Sequence, residues 1–201
     1  MRQDRVRTAV LISGTGSNME ALIRAAEVQD YPASIDLVIA NRPDARGVQT
    51  ARDHGIEAVV IDHTDFPDRP SFEAAIDEKL RHHNIELVAL AGFMRVLTEG
   101  FVRGWEGRLV NIHPSLLPRH KGLHTHRRAL EAGDGEHGAT VHWVVPELDS
   151  GETILQAGFP IPDGATEATL RHTVQLIEHT LYPEALAIAA SEIAARNFTT
   201  R

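Results

Sequence analysis

Two side chains in the stretch RLVNIHPSLLP, Asn111 and His113, are of types that can act together on a carbonyl oxygen. Apolar and polar residues alternate from Val110 to His113, and Pro114 then removes a backbone donor, so the stretch reads as the end of a β-strand. Side chains alternate across a strand, which puts the two on one face with Cα atoms roughly 6–7 Å apart. An amide and an imidazole at that spacing can both donate to one developing oxyanion, as acyl-type transfer requires. The natural carboxylate partner is Asp149, in the turn PELDSG. A carboxylate beside an imidazole favours the protonated ring; taken alone, an Asp before Ser-Gly is a turn residue bonding its own backbone.

A second arrangement lies in SGTGSNMEAL, residues 13 to 22. A strand running through a Gly-containing turn into a helix aims free N–H groups and the positive end of the helix dipole at one point, which suits a phosphate. The same residues allow a plainer reading, because Ser17 to Glu20 matches the S-x-x-E capping box, which needs no ligand. Gly14-x-Gly16 also begins a dinucleotide fingerprint, and Asn41-Arg42 could meet the 2′-phosphate of NADP. Met19 takes the place of the third glycine, which favours a monophosphate over a dinucleotide.

Histidine is abundant, at 12 of 201 residues. His120, His124 and His126 in HKGLHTHRR lie close enough in sequence to His113 to suggest zinc. No H-E-x-x-H pattern or matched carboxylate accompanies them, so no metal is expected. Ile112 to Leu130 contains no acidic residue, while Arg119, Lys121, Arg127 and Arg128 are basic. Solvation accounts for most such runs, and an anionic ligand nearby would also benefit.

The elements that must hold these residues alternate along the chain. VRTAVLISG, IDLVIAN, IEAVVID, IELVALAG and RLVNIHP are short, apolar and mostly β-branched. SNMEALIRAAE, ARGVQTARDHG and SFEAAIDEKLRHH carry apolar residues at helical spacing. Apolar strands separated by helices predict an α/β fold: an open, Rossmann-like, mostly parallel sheet with helices on both faces. GATVHWVV and ETILQAGFPI then predict an antiparallel hairpin around PELDSG. A long helix follows, with Leu170, Val174, Ile177, Leu181 and Ala185 as its apolar stripe and Pro183 expected to kink or divide it. With no repeat or linker, residues 1–201 read as one domain, a phosphate-binding half to about residue 105 and a catalytic half beyond it.

Composition bounds the function. A chain with 42% hydrophobic residues can build a real core, and the absence of cysteine excludes disulfides and thiolate chemistry. A formal net charge of −8 argues against general nucleic-acid affinity. The apolar runs are too short to span a membrane, and MRQDRVR leads straight into a strand, so the expected location is the cytoplasm.

In this order, SGTGSNMEAL, LAGFMRVL, NIHPSLLPRHKG, HGATVHWV and LDSGETILQ closely resemble the phosphoribosylglycinamide formyltransferases, from residue 13 to Pro183. The resemblance implies transfer of the formyl group of 10-formyltetrahydrofolate to the amino group of glycinamide ribonucleotide in purine synthesis. The amine would attack directly, with no covalent enzyme intermediate. It implies that Asn111, His113 and Asp149 are catalytic, the first two holding the oxyanion and Asp149 keeping His113 protonated. Gly16, Ser17 and Asn18 match the phosphate-binding segment, and VQLIEH nominates Gln175 and Glu178 for the ribonucleotide. Met94, Arg95, Val96 and Leu97 match a segment that cradles the pterin, with Asn111 beside it. Val145, Pro146, Glu147, Leu148 and Asp149 would close over the same folate, and Arg69 matches a folate-contacting arginine by position only. Thr15 stands where some members have Asn, which a cradle of main-chain amides tolerates.

The resemblance further implies small-molecule partners only, a monomer or homodimer, and no metal. Methionyl-tRNA formyltransferase and formyltetrahydrofolate hydrolase, the related alternatives, carry an additional domain for which this chain is read as leaving no room. Both also lack the SGTGSN turn in this form.

Overall fold

The computed structural model describes residues 5–199. Its elements run β1 (Val6–Ile12), α1 (Ser17–Ala26), β2 (Ala33–Ala40), α2 (Gly47–Asp53), β3 (Glu57–Val60), α3 (Arg69–His82) and β4 (Leu87–Leu90). They continue with α4 (Glu99–Gly104), β5 (Leu109–His113), α5 (Thr125–Ala132), β6 (Glu136–Trp143), β7 (Thr153–Pro160) and α6 (Glu167–Thr199). The strands form one sheet in the order β3-β2-β1-β4-β5-β6-β7. The pairs from β3 through β5 are parallel, and β6 and β7 add antiparallel. The expected open, mostly parallel sheet with a C-terminal hairpin and long helix is therefore what forms.

Both sheet faces are covered, which explains why the strands read as unbroken apolar runs. Val10 and Ile12 of β1 join Leu22, Val110, Val174, Tyr182 and Leu186 in the core under α1 and α6. Their neighbours Ala9 and Leu11 face the other way, into Phe72, Ile76, Leu80, Trp105 and Leu109 under α3 and α4. Leu109 marks the second face of β5, so alternation sends Asn111 and His113 toward that side, away from α6.

The strand order reverses between β1 and β4, and in open α/β sheets that switch point opens a crevice beyond the carboxyl ends of the strands. The turns after β1 and β4 therefore share one rim. Gly16 caps α1 with φ 77°, and a Cβ there would stand 3.0 Å from the Gly47 Cα. A Cβ on Gly47 would in turn meet Ile12 Cδ1 at 2.5 Å, so two glycines let α1 and α2 begin almost in contact.

Three expectations change. The Ser17 to Glu20 capping box does not form, because Gly16 in its left-handed conformation takes the cap position and no side chain bonds the helix start. α6 runs undivided from Glu167 to Thr199 with Pro183 inside it. Leu181, Tyr182, Ala185 and Leu186 are buried on both sides of the proline, and Tyr31 Oη donates to the Pro183 carbonyl at 2.7 Å. Packing here outweighs the missing backbone donor. Two helices, α4 with 6 residues and α5 with 8, also stand where no helix is expected. No helix of the described residues is long and apolar enough to cross a membrane.

Candidate active site

The antiparallel register of β5 on β6 sets Asn111 opposite His142 and His113 opposite Thr140. Directly opposed side chains share a face. The Asn111 amide nitrogen lies 3.3 Å from His142 Nε2. Asp149 arrives from the loop between β6 and β7 with φ 48° and places its carboxylate between the two imidazoles. Its Oδ2 is 3.4 Å from His113 Nδ1 and its Oδ1 is 3.7 Å from His142 Nε2. The carboxylate is itself anchored, with Oδ2 accepting from the Gly122 backbone N–H at 2.8 Å. Gly151 is required two residues on, since a Cβ there would overlap the Trp143 carbonyl oxygen at 1.7 Å.

All three ionisable groups are shielded: the side chains of His113, Asp149 and His142 are 8%, 7% and 2% exposed, so charge on one is felt by the others with little screening. Burial pushes the His142 pKa down, only partly opposed by its bond to the Trp143 carbonyl and by Asp149. The Nδ1 of His142 is 2.9 Å from that carbonyl and donates to it, which leaves Nε2 of the neutral ring as an acceptor for Asn111. His113 Nε2 faces the backbone carbonyl of His120 at 2.9 Å. Acceptors thus face both of its ring nitrogens, and a ring carrying both protons can donate to both. His142 is not among the residues that the sequence nominates. Its signal was the alternation Thr140, His142 on a strand that pairs with β5, legible only once the register is known.

The start of α1 meets α6. Asn18 Nδ2 donates to Glu178 Oε2 at 3.0 Å, and Gln175 Nε2 donates to Ser17 Oγ at 3.0 Å. Asn18 Oδ1 is buried with no hydrogen-bond partner among the described residues, and burial pushes the Glu178 carboxyl pKa upward against the opposing effect of the Asn18 bond. Gly16, Ser17, Asn18, Gln175 and Glu178 therefore form one cluster beside an uncapped helix N-terminus, an arrangement suited to an anion with hydroxyl groups next to it.

The turn after β4 is tied to the turn after β1 by a single hydroxyl. Ser13 Oγ accepts from Met94 N at 2.7 Å and donates to Asn41 Oδ1 at 2.6 Å. Met94 and Val96 are 68% and 58% exposed, Arg95 and Leu97 less so, and Leu97 packs on the same core as Val144. Val145 is half-buried and Pro146, Glu147 and Leu148 are exposed, along the loop that delivers Asp149. Arg69 stands exposed at the start of α3, and its side chain forms no hydrogen bond or ion pair among the described residues.

The rival readings lose their geometry. Asn41 is 1% exposed and engaged by Ser13, and Arg42 is paired with Asp44 at 3.0 and 2.9 Å, so neither waits for a 2′-phosphate. His120 turns to Asp134 and His126 to His137, while His124 caps α5 exposed, so these histidines do not converge on His113.

The chain that carries this arrangement is similar to known proteins. The sequence pattern described as formyl transferase matches residues 6–186. The phosphoribosylglycinamide formyltransferase of Escherichia coli is 44% identical over 174 residues, 87% of this chain and 82% of that one. The trifunctional purine biosynthetic protein adenosine-3 of Drosophila melanogaster is 48% identical over 94% of this chain, which spans only 14% of that protein's length. The structure of phosphoribosylglycinamide formyltransferase from Brucella melitensis superposes with a TM-score of 0.89 at 45% identity, covering 93% of this chain and 96% of that one. Glycinamide ribonucleotide transformylase 1 from Symbiobacterium toebii gives 0.90 at 39%, covering 94% and 89%. With most of its length matched in sequence and in fold, the chain belongs to the formyl transferase family.

Proposed function

We propose that the protein transfers the formyl group of 10-formyltetrahydrofolate to the amino group of glycinamide ribonucleotide, giving formylglycinamide ribonucleotide and tetrahydrofolate. The convergence of Asn111, His113 and the Asp149 carboxylate in one shielded space carries this reading. It is supported by the family membership and by the names of relatives that match nearly end to end.

The amine attacks the formyl carbon, a C–N bond forms, and the carbonyl electron pair moves onto oxygen. Asn111 Nδ2–H and the Nδ1–H of the protonated His113 ring, whose Nε2–H stays on the His120 carbonyl, donate to that oxyanion, strongest as charge develops. The neutral acceptor on His142 holds one amide hydrogen of Asn111, leaving the other for the substrate. The pair returns to re-form the carbonyl, the bond to N10 breaks, and the proton lost by the amine passes to N10, with Asp149 relaying it directly or through water.

The ribonucleotide phosphate sits on the amides of Gly16, Ser17 and Asn18, with Gln175 and Glu178 against the sugar. The folate lies along Met94, Arg95, Val96 and Leu97, under the loop Val145 to Asp149 and beside Asn111. Arg69 is assigned to the folate by position alone. The reading needs no metal, takes only small molecules as partners, admits a monomer or homodimer, and places the enzyme in the cytoplasm.

Release of tetrahydrofolate from 10-formyltetrahydrofolate, with and without the ribonucleotide, tests it. Release only with the ribonucleotide is expected. Release without it would make the protein a hydrolase of the same fold, and none in either case would overturn the reading.

A further inference from the structure

Nε2 of His113 lies 2.9 Å from the carbonyl oxygen of His120. That carbonyl is held from two directions. His120 adopts φ 56°, a left-handed conformation uncommon for a residue with a side chain, and something must keep it there. Its imidazole Nε2 lies 2.7 Å from Asp134 Oδ2, with both side chains well shielded at 12% and 15% exposure. Asp134 is a firm anchor because it follows the left-handed Gly133 that ends α5, and its own N–H donates to the Ala129 carbonyl at 3.1 Å. One residue earlier, Ser115 Oγ donates to the Arg119 carbonyl at 2.7 Å, so the peptide groups leading into His120 are fixed as well.

We propose that Asp134 and His120 are positioning residues that orient the His113 ring through the His120 carbonyl. This rests on the catalytic reading of His113. A carbonyl can only accept, so it holds the ring proton on Nε2 and leaves Nδ1, the nitrogen facing Asp149, as the one whose proton is offered to the oxyanion. A backbone carbonyl, steered by a side-chain pair on its own residue, does here what a third carboxylate does where an imidazole must hold one tautomer. Arg119 Nη1 also approaches Asp134, at 3.6 Å, and shares the anchor without touching His113.

The test is long-range ¹H–¹⁵N NMR of the intact protein at a pH where His113 is neutral, its signals assigned by their loss in His113→Asn, together with steady-state kinetics of Asp134→Ala and Asp134→Asn. The wild-type ring is expected to carry its proton on Nε2. Asp134→Ala is expected to mix the tautomers and lower kcat by about 10-fold or more, the scale of a small misplacement of a reacting group. KM for both substrates should stay within about twofold, since neither is bound through Asp134. Asp134→Asn, whose amide oxygen still accepts from His120, should restore most of kcat. A wild-type proton on Nδ1 overturns the proposal whether or not the variants fold, and so does an unchanged kcat in Asp134→Ala. Full activity of His113→Ala would instead sink the catalytic reading while leaving the tautomer result standing.

Discussion

Asn111 and His142 face each other across the β5–β6 pair with the amide nitrogen 3.3 Å from the imidazole Nε2. This bond exists only while His142 is neutral, and burial keeps its pKa below the usual imidazole value. His142→Leu should therefore lower kcat about 10-fold by freeing the Asn111 amide to rotate. His142→Gln, which offers an amide oxygen as acceptor, should recover much of that loss. Activity as pH falls below about 6.5 should also drop less in the Gln variant, since it has no ring to protonate. Comparison of the three pH profiles checks both statements.

Alanine at Asn111 or at His113 removes a donor from the developing oxyanion. Each is expected to cost about 10²–10³ in kcat, and the double variant less than the product of the two. Thermal unfolding of each variant, run beside the kinetics, separates this loss from a failure to fold.

Gly16→Ala forces a side chain into a left-handed backbone and against the Gly47 Cα at 3.0 Å. The strain alone is about 1–2 kcal/mol, to be read from chemical denaturation. Because the same turn offers the amides for phosphate, KM for the ribonucleotide should rise more than KM for the formyl donor.

His137 is 1% exposed and its pKa is pushed down to about 4, mainly by burial and then by the neighbouring His126, His120 and Arg119, with Asp134 opposing. Unfolded, the ring takes its proton near pH 6.5. Between these values the unfolded chain binds a proton that the folded chain refuses, so the stability contributed by neutral His137 is complete above about pH 6.5 and lost as pH falls toward 4. His137→Gln should flatten the fall in stability over that window, measured by denaturation at a series of pH values.

Much of this architecture was legible because both sheet faces are buried. A strand such as β2, with Leu37 and Ile39 on one core and Val38 and Ala40 on the other, announces itself as an apolar run. Asn111 and His113 were legible for a related reason, since strand geometry alone puts them on one face. His142 was not, because its approach to Asn111 is a matter of register between segments about thirty residues apart, and register is set by packing. The reach of Asp149 was equally hidden, since it depends on a left-handed residue and on a glycine forced by the Trp143 carbonyl. Pro183 signals a helix break only locally, since the buried contacts on either side that offset its missing donor come from distant segments.

Ser13 Oγ is one oxygen serving three strand ends: it follows β1, binds the Asn41 side chain after β2, and holds Met94 N after β4. Such a joint fixes chain length as much as conformation. An extra residue between β1 and Ser13, or between β4 and Met94, would slide one partner by more than 3 Å along an extended chain and part the bond. The carboxyl-end turns after β1 and β4 are thereby held to constant length, and at the opposite edge of the sheet the Arg5 guanidinium donates to the carbonyls of Ala26, Val28 and Gln29, so the turn that leads to β2 is tied to the start of β1 as well.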